Sequence, residues 1–208
     1  KDTFVLTSFS WLLLCIFAAL PLWLSQHSMS FIDSFFEATS GLTTTGATVL
    51  SNLDNMAKGI LLWRALLQWL GGLGIIVIAL AILPILNIGG MQLFNKELND
   101  TPENLKPRAT ELAKLLIITY LTLTSITALL LWFAGLSKFD SICHAMTTIA
   151  TGGFSTHDKS IGFYDNYIVE IIIMFGMVLS SLPFTFFFTK MNSKNSYITN
   201  SQIKVFLI

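Results

Sequence analysis

Two short segments hold the residue types and spacing best suited to chemistry: Thr43-Thr-Thr-Gly-Ala-Thr and Ala150-Thr-Gly-Gly-Phe-Ser. Neither contains a carboxylate, thiol or imidazole, so what they offer is backbone oxygen. Thr favours extended chain, and Gly permits positive φ. Successive carbonyls can therefore be turned towards one axis, where stacked oxygens replace the water shell of a dehydrated K⁺. The candidate ion-binding residues are Thr44, Thr45, Gly46 and Ala47 in the first segment and Thr151, Gly152, Gly153 and Phe154 in the second. A side chain at Gly46 or Gly153 would be expected to crowd such a filter. K⁺ is the one metal ion implied, as cargo held by these residues, and no cofactor is expected. Rings of carboxylates are the other filter design, and neither segment has the residues for one.

The two segments belong to an internal repeat. Residues 33–48 align with 140–155, with Asp33/Asp140, Ser34/Ser141, Ala38/Ala145, Thr44/Thr151 and Gly46/Gly153 identical. Asp-Ser at the head of each copy reads as an N-cap pair. The run of about ten residues that follows suits a helix of roughly 15 Å, half a membrane thickness. A half-helix followed by extended Thr/Gly backbone is the pattern of a re-entrant pore loop, and its partly negative C-terminal end would face a cation. Non-helical backbone at membrane depth is tolerated where it is buried in protein or lines a wet cavity.

The elements that must position these loops are apolar. The 208 residues are 53% hydrophobic and 12% charged, where a soluble domain averages about 25% charged. Four runs lack Asp, Glu, Lys and Arg: 4–24, 65–95, 115–137 and 171–189. Each is long enough for a helix to span a hydrocarbon core of about 30 Å. Four buried helices of a soluble protein would rarely be so long and so free of charge. Lys1, Lys96, Lys106, Arg108, Lys114, Lys190, Lys194 and Lys204 fall on one side of the spans, and Lys58, Arg64, Lys138 and Lys159 on the other. The richer side is assigned to the cytoplasm, which turns the pore loops to the outside. Pro84 and Gly89-Gly90 are stop or kink signals near the end of the second span. The expected organisation is a first helix–loop–helix repeat at 1–90, a cytoplasmic linker at 91–112, a second repeat at 113–190, and a cytoplasmic connection with the start of a further span at 191–208. A start at Lys1 without Met and a closing apolar run suggest a fragment of a longer protein.

Other reactive residues are sparse. Zero net charge gives no basic field for nucleic acid. Cys15 and Cys143 belong to no CxxC motif and read as packing residues. His144, His157 and Asp158 lack metal-ligand spacing, and no GxSxG elbow supports a hydrolase. Gly71, Gly72 and Gly74 suggest close helix packing, with a hinge as the alternative. Trp11, Trp23, Trp63, Trp69 and Trp132 read as interfacial anchors or packing residues. Glu37 and Arg64 are isolated charges near the first loop, with His144 and Glu170 at the matching positions of the second. An ionisable group inside a membrane protein usually faces a partner, so two pairs are expected behind the filters, Glu37–Arg64 and His144–Glu170.

Four segments carry a family resemblance: Phe35-Phe-Glu-Ala-Thr-Ser-Gly-Leu-Thr-Thr-Thr-Gly-Ala-Thr-Val-Leu, Trp63-Arg-Ala-Leu-Leu-Gln-Trp-Leu-Gly-Gly-Leu-Gly-Ile, Ile88-Gly-Gly-Met-Gln-Leu and Thr148-Ile-Ala-Thr-Gly-Gly-Phe-Ser-Thr-His-Asp. They resemble the membrane-subunit family (TrkH/TrkG) of Trk-type bacterial potassium uptake systems, within the Trk/Ktr/HKT superfamily, over essentially the whole chain. The resemblance implies an all-α membrane protein with two helix–pore loop–helix repeats, half of a pseudo-fourfold K⁺-channel-like pore, and no enzymatic activity. It also implies a multi-pass protein of the bacterial inner membrane with its pore loops facing the periplasm. The implied partners are repeats three and four of a longer chain or a second copy, a homodimeric full-length assembly, a cytoplasmic nucleotide-binding regulatory subunit (TrkA-like) and the lipid bilayer. Ser180-Ser-Leu-Pro-Phe stands where many relatives have Gly-Gly and Asn. A non-conducting half-transporter or assembly module is the alternative function. Passive conduction and symport with H⁺ or Na⁺ both remain open from sequence.

Overall fold

The computed structural model describes residues 2–25, 29–86 and 105–181. These residues are helical with intervening loops, and no strand occurs among them. The α-helices run α1 (Asp2–Trp23), α2 (Phe31–Leu42), α3 (Lys58–Leu86), α4 (Leu105–Phe133), α5 (Lys138–Ile149) and α6 (Tyr167–Ser181). Single 3₁₀ turns at Leu53–Asn55 and Ser160–Phe163 punctuate the loops before α3 and α6. Chain contacts divide the molecule into two compact units. The larger joins Lys1–Gly72 to Thr124–Ser180, and the other joins Leu73–Leu123 to Ser181–Ile208. The larger unit contains both Thr/Gly segments.

Within it, each repeat builds its own small core. Cys15, Ala18, Ala19 and Leu22 of α1 pack with Ala38 and Leu42 of α2 and Leu67 of α3. The small residues on α1 let the short helix approach closely, as at helix contacts within membranes. In the second repeat Leu131, Leu136, Ala145, Val169 and Ile173 form the corresponding cluster. The outward faces are apolar too: Phe17 is 64% exposed, Phe133 79% and Phe175 66%. Among the described residues one helical segment, Lys114–Phe133, is long and apolar enough to cross a membrane by length and composition, and Ser8–Trp23 and Tyr167–Ser181 are shorter apolar helices. The expected second and fourth spans run on into 87–95 and 182–189, which lie outside the described residues, as do Gly89-Gly90 and most of the 91–112 linker. Pro84 sits inside α3, which continues to Leu86.

The caps correct one expectation. The caps are Ser30 and Ser137, three residues ahead of the Asp-Ser pairs. In each copy the Asp amide donates to the Ser Oγ at 3.1 Å, and the Ser hydroxyl donates to the Asp carboxylate at 2.7 Å. Asp33 and Asp140 thus occupy the third position of a capping box, where a carboxylate also meets the positive end of the helix dipole. Ser30→Ala and Ser137→Ala are each expected to cost about 1 kcal/mol. Thermal unfolding of the detergent-solubilised protein checks this, and an unchanged midpoint in both would show that the caps are held by something else.

Gly71 explains how α3 meets the half-helix. A Cβ there would lie 2.1 Å from the Leu42 carbonyl oxygen, so only glycine allows this approach. Gly74 has open space at the same distance range, so the close packing belongs to Gly71 alone of these two. Trp63 and Trp69 pin α3 by donating from their indoles, to the Ala18 carbonyl at 3.0 Å and to Thr124 Oγ1 at 3.1 Å. They are packing residues, whereas Trp23 and Trp132 are 46% and 44% exposed.

Candidate functional site: two Thr/Gly loops and the groups behind them

The two loops leave their half-helices by the same hydrogen bonds. In the first, the amides of Thr43, Thr44 and Thr45 donate to the carbonyls of Thr39, Gly41 and Ser40 at 2.9 Å each. In the second, those of Ala150, Thr151 and Gly152 donate to Met146, Thr148 and Thr147 at 3.0, 3.0 and 2.9 Å. Thr44 and Thr151 have φ of 54° and 53°, and Gly46 and Gly153 have 78° and 83°. Two non-glycine residues therefore sit in a left-handed region that normally costs energy. The chain has no helix, strand or turn from Thr45 to Leu50 and from Gly152 to Ser155. The loops touch at their glycines: a Cβ on Gly46 would lie 1.9 Å from the Gly152 carbonyl oxygen. A Cβ on Gly153 meets nothing within 4 Å, so a side chain there has room and the expected crowding applies to Gly46 only. The Ala47 carbonyl accepts from Ser40 Oγ at 2.6 Å, which turns this candidate oxygen back onto α2.

Behind the loops lies a buried polar cluster. Arg64 and Glu37 are 1% and 0% exposed, and Arg64 Nε donates to Glu37 Oε1 at 2.8 Å. The carboxylate also accepts from Thr48 Oγ1 at 2.8 Å and from the Val49 amide at 3.0 Å. The guanidinium uses its other nitrogens on both loops: Nη2 donates to Thr48 Oγ1 at 3.1 Å and Nη1 to the Ser155 carbonyl at 3.0 Å. It stacks over the Phe154 ring with 4.2 Å to the centroid, within cation–π range. One turn further along α3, Gln68 Oε1 accepts from the Phe154 amide at 3.0 Å. All three guanidinium nitrogens and both carboxylate oxygens thus have hydrogen-bond partners, the condition under which a buried ion pair is tolerated.

The second repeat departs from this plan. His144 is buried at the position matching Glu37, but Glu170 is exposed on the first turn of α6. The expected His144–Glu170 pair does not form. His144 Nε2 instead lies 3.3 Å from Thr156 Oγ1, and its ring meets Tyr164 edge-on. At the first turn of a helix a carboxylate is stabilised by the dipole and by water, so Glu170 needs no buried partner. Outside the loops, His157 bonds to Asp54 through Nδ1 and stacks on Phe163 with ring centroids 3.6 Å apart. Thr156 donates to Asp140 at 2.7 Å, and Asp158 accepts from the Leu53 amide at 3.1 Å. The His157–Asp54 and Leu53–Asp158 contacts tie the loop before α3 to the loop before α6. The hydrogen bond from His157 holds the Asp54 carboxyl below its ordinary range. Burial pushes the Tyr164 phenol up. Among the described residues no group of three His, Cys, Asp or Glu side chains could hold a metal ion.

A family model described as "TrkH: Cation transport protein" matches residues 1–207. The chain belongs to the TrkH family. It is 45% identical over 191 residues to the Trk system potassium uptake protein TrkH of Vibrio parahaemolyticus, covering 90% of this chain and 39% of that protein. It is 37% identical over 213 residues to the Trk system potassium uptake protein TrkG of Escherichia coli K12, covering 100% of this chain and 44% of that protein. The crystal structure of the potassium transporter TrkH from Vibrio parahaemolyticus superposes with a TM-score of 0.80 at 42% identity, covering 95% of this chain and 39% of that one. This TrkH-family chain therefore spans about two fifths of the length of these relatives. Its family is one of transport proteins, and its all-helical fold matches the solved relative.

Two features of the TrkH-family site carried only weak sequence signals. Gln68 is neutral, yet it follows Arg64 by four residues, on the same helix face, within an otherwise apolar run. The Asp54–His157 contact joins residues 103 apart in two polar loops, and nothing in their local sequence pairs them.

Proposed function

We propose that this chain forms half of a K⁺-selective pore in the bacterial inner membrane, as part of the pore-forming subunit of a Trk-type uptake system. The observation that carries the reading is the shared backbone of the two loops. The same three amide bonds and the same two left-handed residues recur in both, and the loops meet at Gly46 and Gly152. A trans peptide points its N–H and C=O in opposite directions. The Thr45 and Gly152 amides are turned onto the half-helix ends, so the Thr44 and Thr151 carbonyls point away from them, toward the ion path. Thr45, Gly46, Gly152 and Gly153 complete the lining. Phe154 contributes its ring behind the loop.

We assign the two repeats to 1–90 and 113–190, with the linker 91–112 and the tail 191–208 on the cytoplasmic side and the loops facing the periplasm. Arg64 and Gln68 of the first repeat hold the loop of the second. That is a head-to-tail contact, the kind that a ring of repeats closes. Two further loops, from the rest of a longer chain or from a second copy, would complete four. The relatives' names imply a multi-component system, and a cytoplasmic nucleotide-binding subunit is the regulatory partner that we assign. The full-length protein carrying this chain, in proteoliposomes, is expected to pass K⁺ much faster than Na⁺ under equal gradients. Equal fluxes of the two ions, or none of either, would sink this reading.

A further inference from the structure

We infer that Gln68 is a positioning residue for the second loop and sets the direction of the Gly153 carbonyl. The inference rests on the filter reading above. Gln68 is fully buried on α3 of the first repeat, and its Oε1 accepts from the Phe154 amide at 3.0 Å. No cis peptide bond occurs among the described residues, so the Gly153 carbonyl must point away from the Phe154 N–H and hence away from Gln68. Little on the Gly153 side restrains this peptide plane. Gly153 is at φ 83° with open space where a side chain would be, and glycine there can rotate with little steric resistance. The bond from Gln68 stops that rotation.

The packing around Gln68 supports the same role. A Cβ on Gly152 would lie 2.3 Å from Gln68 Cδ, and one on Gly46 would lie 3.6 Å from its Nε2. The carboxamide therefore lies against both loops at their junction. Its Nε2 has no hydrogen-bond partner, so the acceptor oxygen is the half of the amide that is used. Arg64 holds the carbonyl two residues on, that of Ser155, at 3.0 Å. Two side chains one turn apart on α3 thus grip the N–H of Phe154 and the C=O of Ser155.

The test compares Gln68→Met with Gln68→Glu in the full-length protein, reconstituted in proteoliposomes. Glu keeps an acceptor oxygen of the same reach, and Met keeps the volume but offers only a weakly accepting sulfur. The readouts are the K⁺/Na⁺ flux ratio and the KM for K⁺, which are independent of how much protein inserts correctly. Gln68→Met is expected to lower the ratio about tenfold and raise KM, the factor corresponding to a hydrogen bond of about 1.4 kcal/mol. Gln68→Glu is expected to recover most of the ratio. A wild-type ratio in Gln68→Met overturns the inference, and so does an equal loss in both variants. If Gln68→Met does not insert, Gln68→Leu replaces it with the same expectation. Gly46→Ala separates the two levels. A collapsed ratio there beside an unchanged one in Gln68→Met removes only the role of Gln68, whereas unchanged ratios in both remove the filter reading.

Discussion

Arg64→Gln, with Glu37 left in place, is expected to destabilise the protein by about 3–5 kcal/mol, because it strands a buried carboxylate. Glu37→Gln should cost a similar amount by stranding the guanidinium. The two together should cost far less than their sum. The reason is the closed set of contacts: Glu37 Oε1 with Arg64 Nε at 2.8 Å, Thr48 between them, and Val49 and Ser155 on the outer positions. Exchanging the residues (Glu37→Arg with Arg64→Glu) should restore part of the loss, though the bonds to Val49 and Ser155 would be mispaired. A double-mutant cycle on unfolding in detergent measures the coupling. Additive single effects would mean that the two side chains act independently. Since Arg64 touches both loops, each single variant in the full-length protein should also lower the proposed K⁺ uptake by more than it lowers the amount of inserted protein.

Isolated charge was the most legible signal in this chain. Glu37 and Arg64 stand alone among apolar neighbours, and a charge in such surroundings must find a partner or leave. The same reasoning fails for Glu170, because it precedes the apolar run 171–189 and sits on the first turn of its helix. Asn166 caps that turn by accepting from the Ile168 amide at 3.0 Å, and the carboxylate stays in the open. The half-helices were legible from the repeated Asp-Ser, but their first turns were not. The capping box Ser-x-x-Asp was there to read at Ser30 and Ser137, yet Asp-Ser is an equally good cap pair by residue type alone. Neutral groups gave the least away. Gln68 and Ser40 act through single hydrogen bonds to loop backbone, and a sequence shows no trace of which peptide an amide or hydroxyl will reach.

Gly46→Ala is expected to cost about 2–5 kcal/mol, from the left-handed conformation and from overpacking together. At φ 78° any Cβ is strained, and here it would also lie 1.9 Å from the Gly152 carbonyl oxygen, a backbone atom that cannot swing aside as a side chain would. The two loops must separate to admit it. Gly153→Ala isolates the first of these effects. Its φ is 83° but its Cβ would enter open space, so only the conformational cost of about 1–2 kcal/mol applies. Thr44 and Thr151 already tolerate that conformation in the native chain. The pair of variants thus separates strain within a loop from contact between loops. Unfolding midpoints should fall further for Gly46→Ala than for Gly153→Ala, and the K⁺/Na⁺ flux ratio of the full-length protein should follow the same order. Equal effects of the two substitutions would mean that the loops do not meet at Gly46 and Gly152, and would leave the proposed filter without its inter-repeat contact.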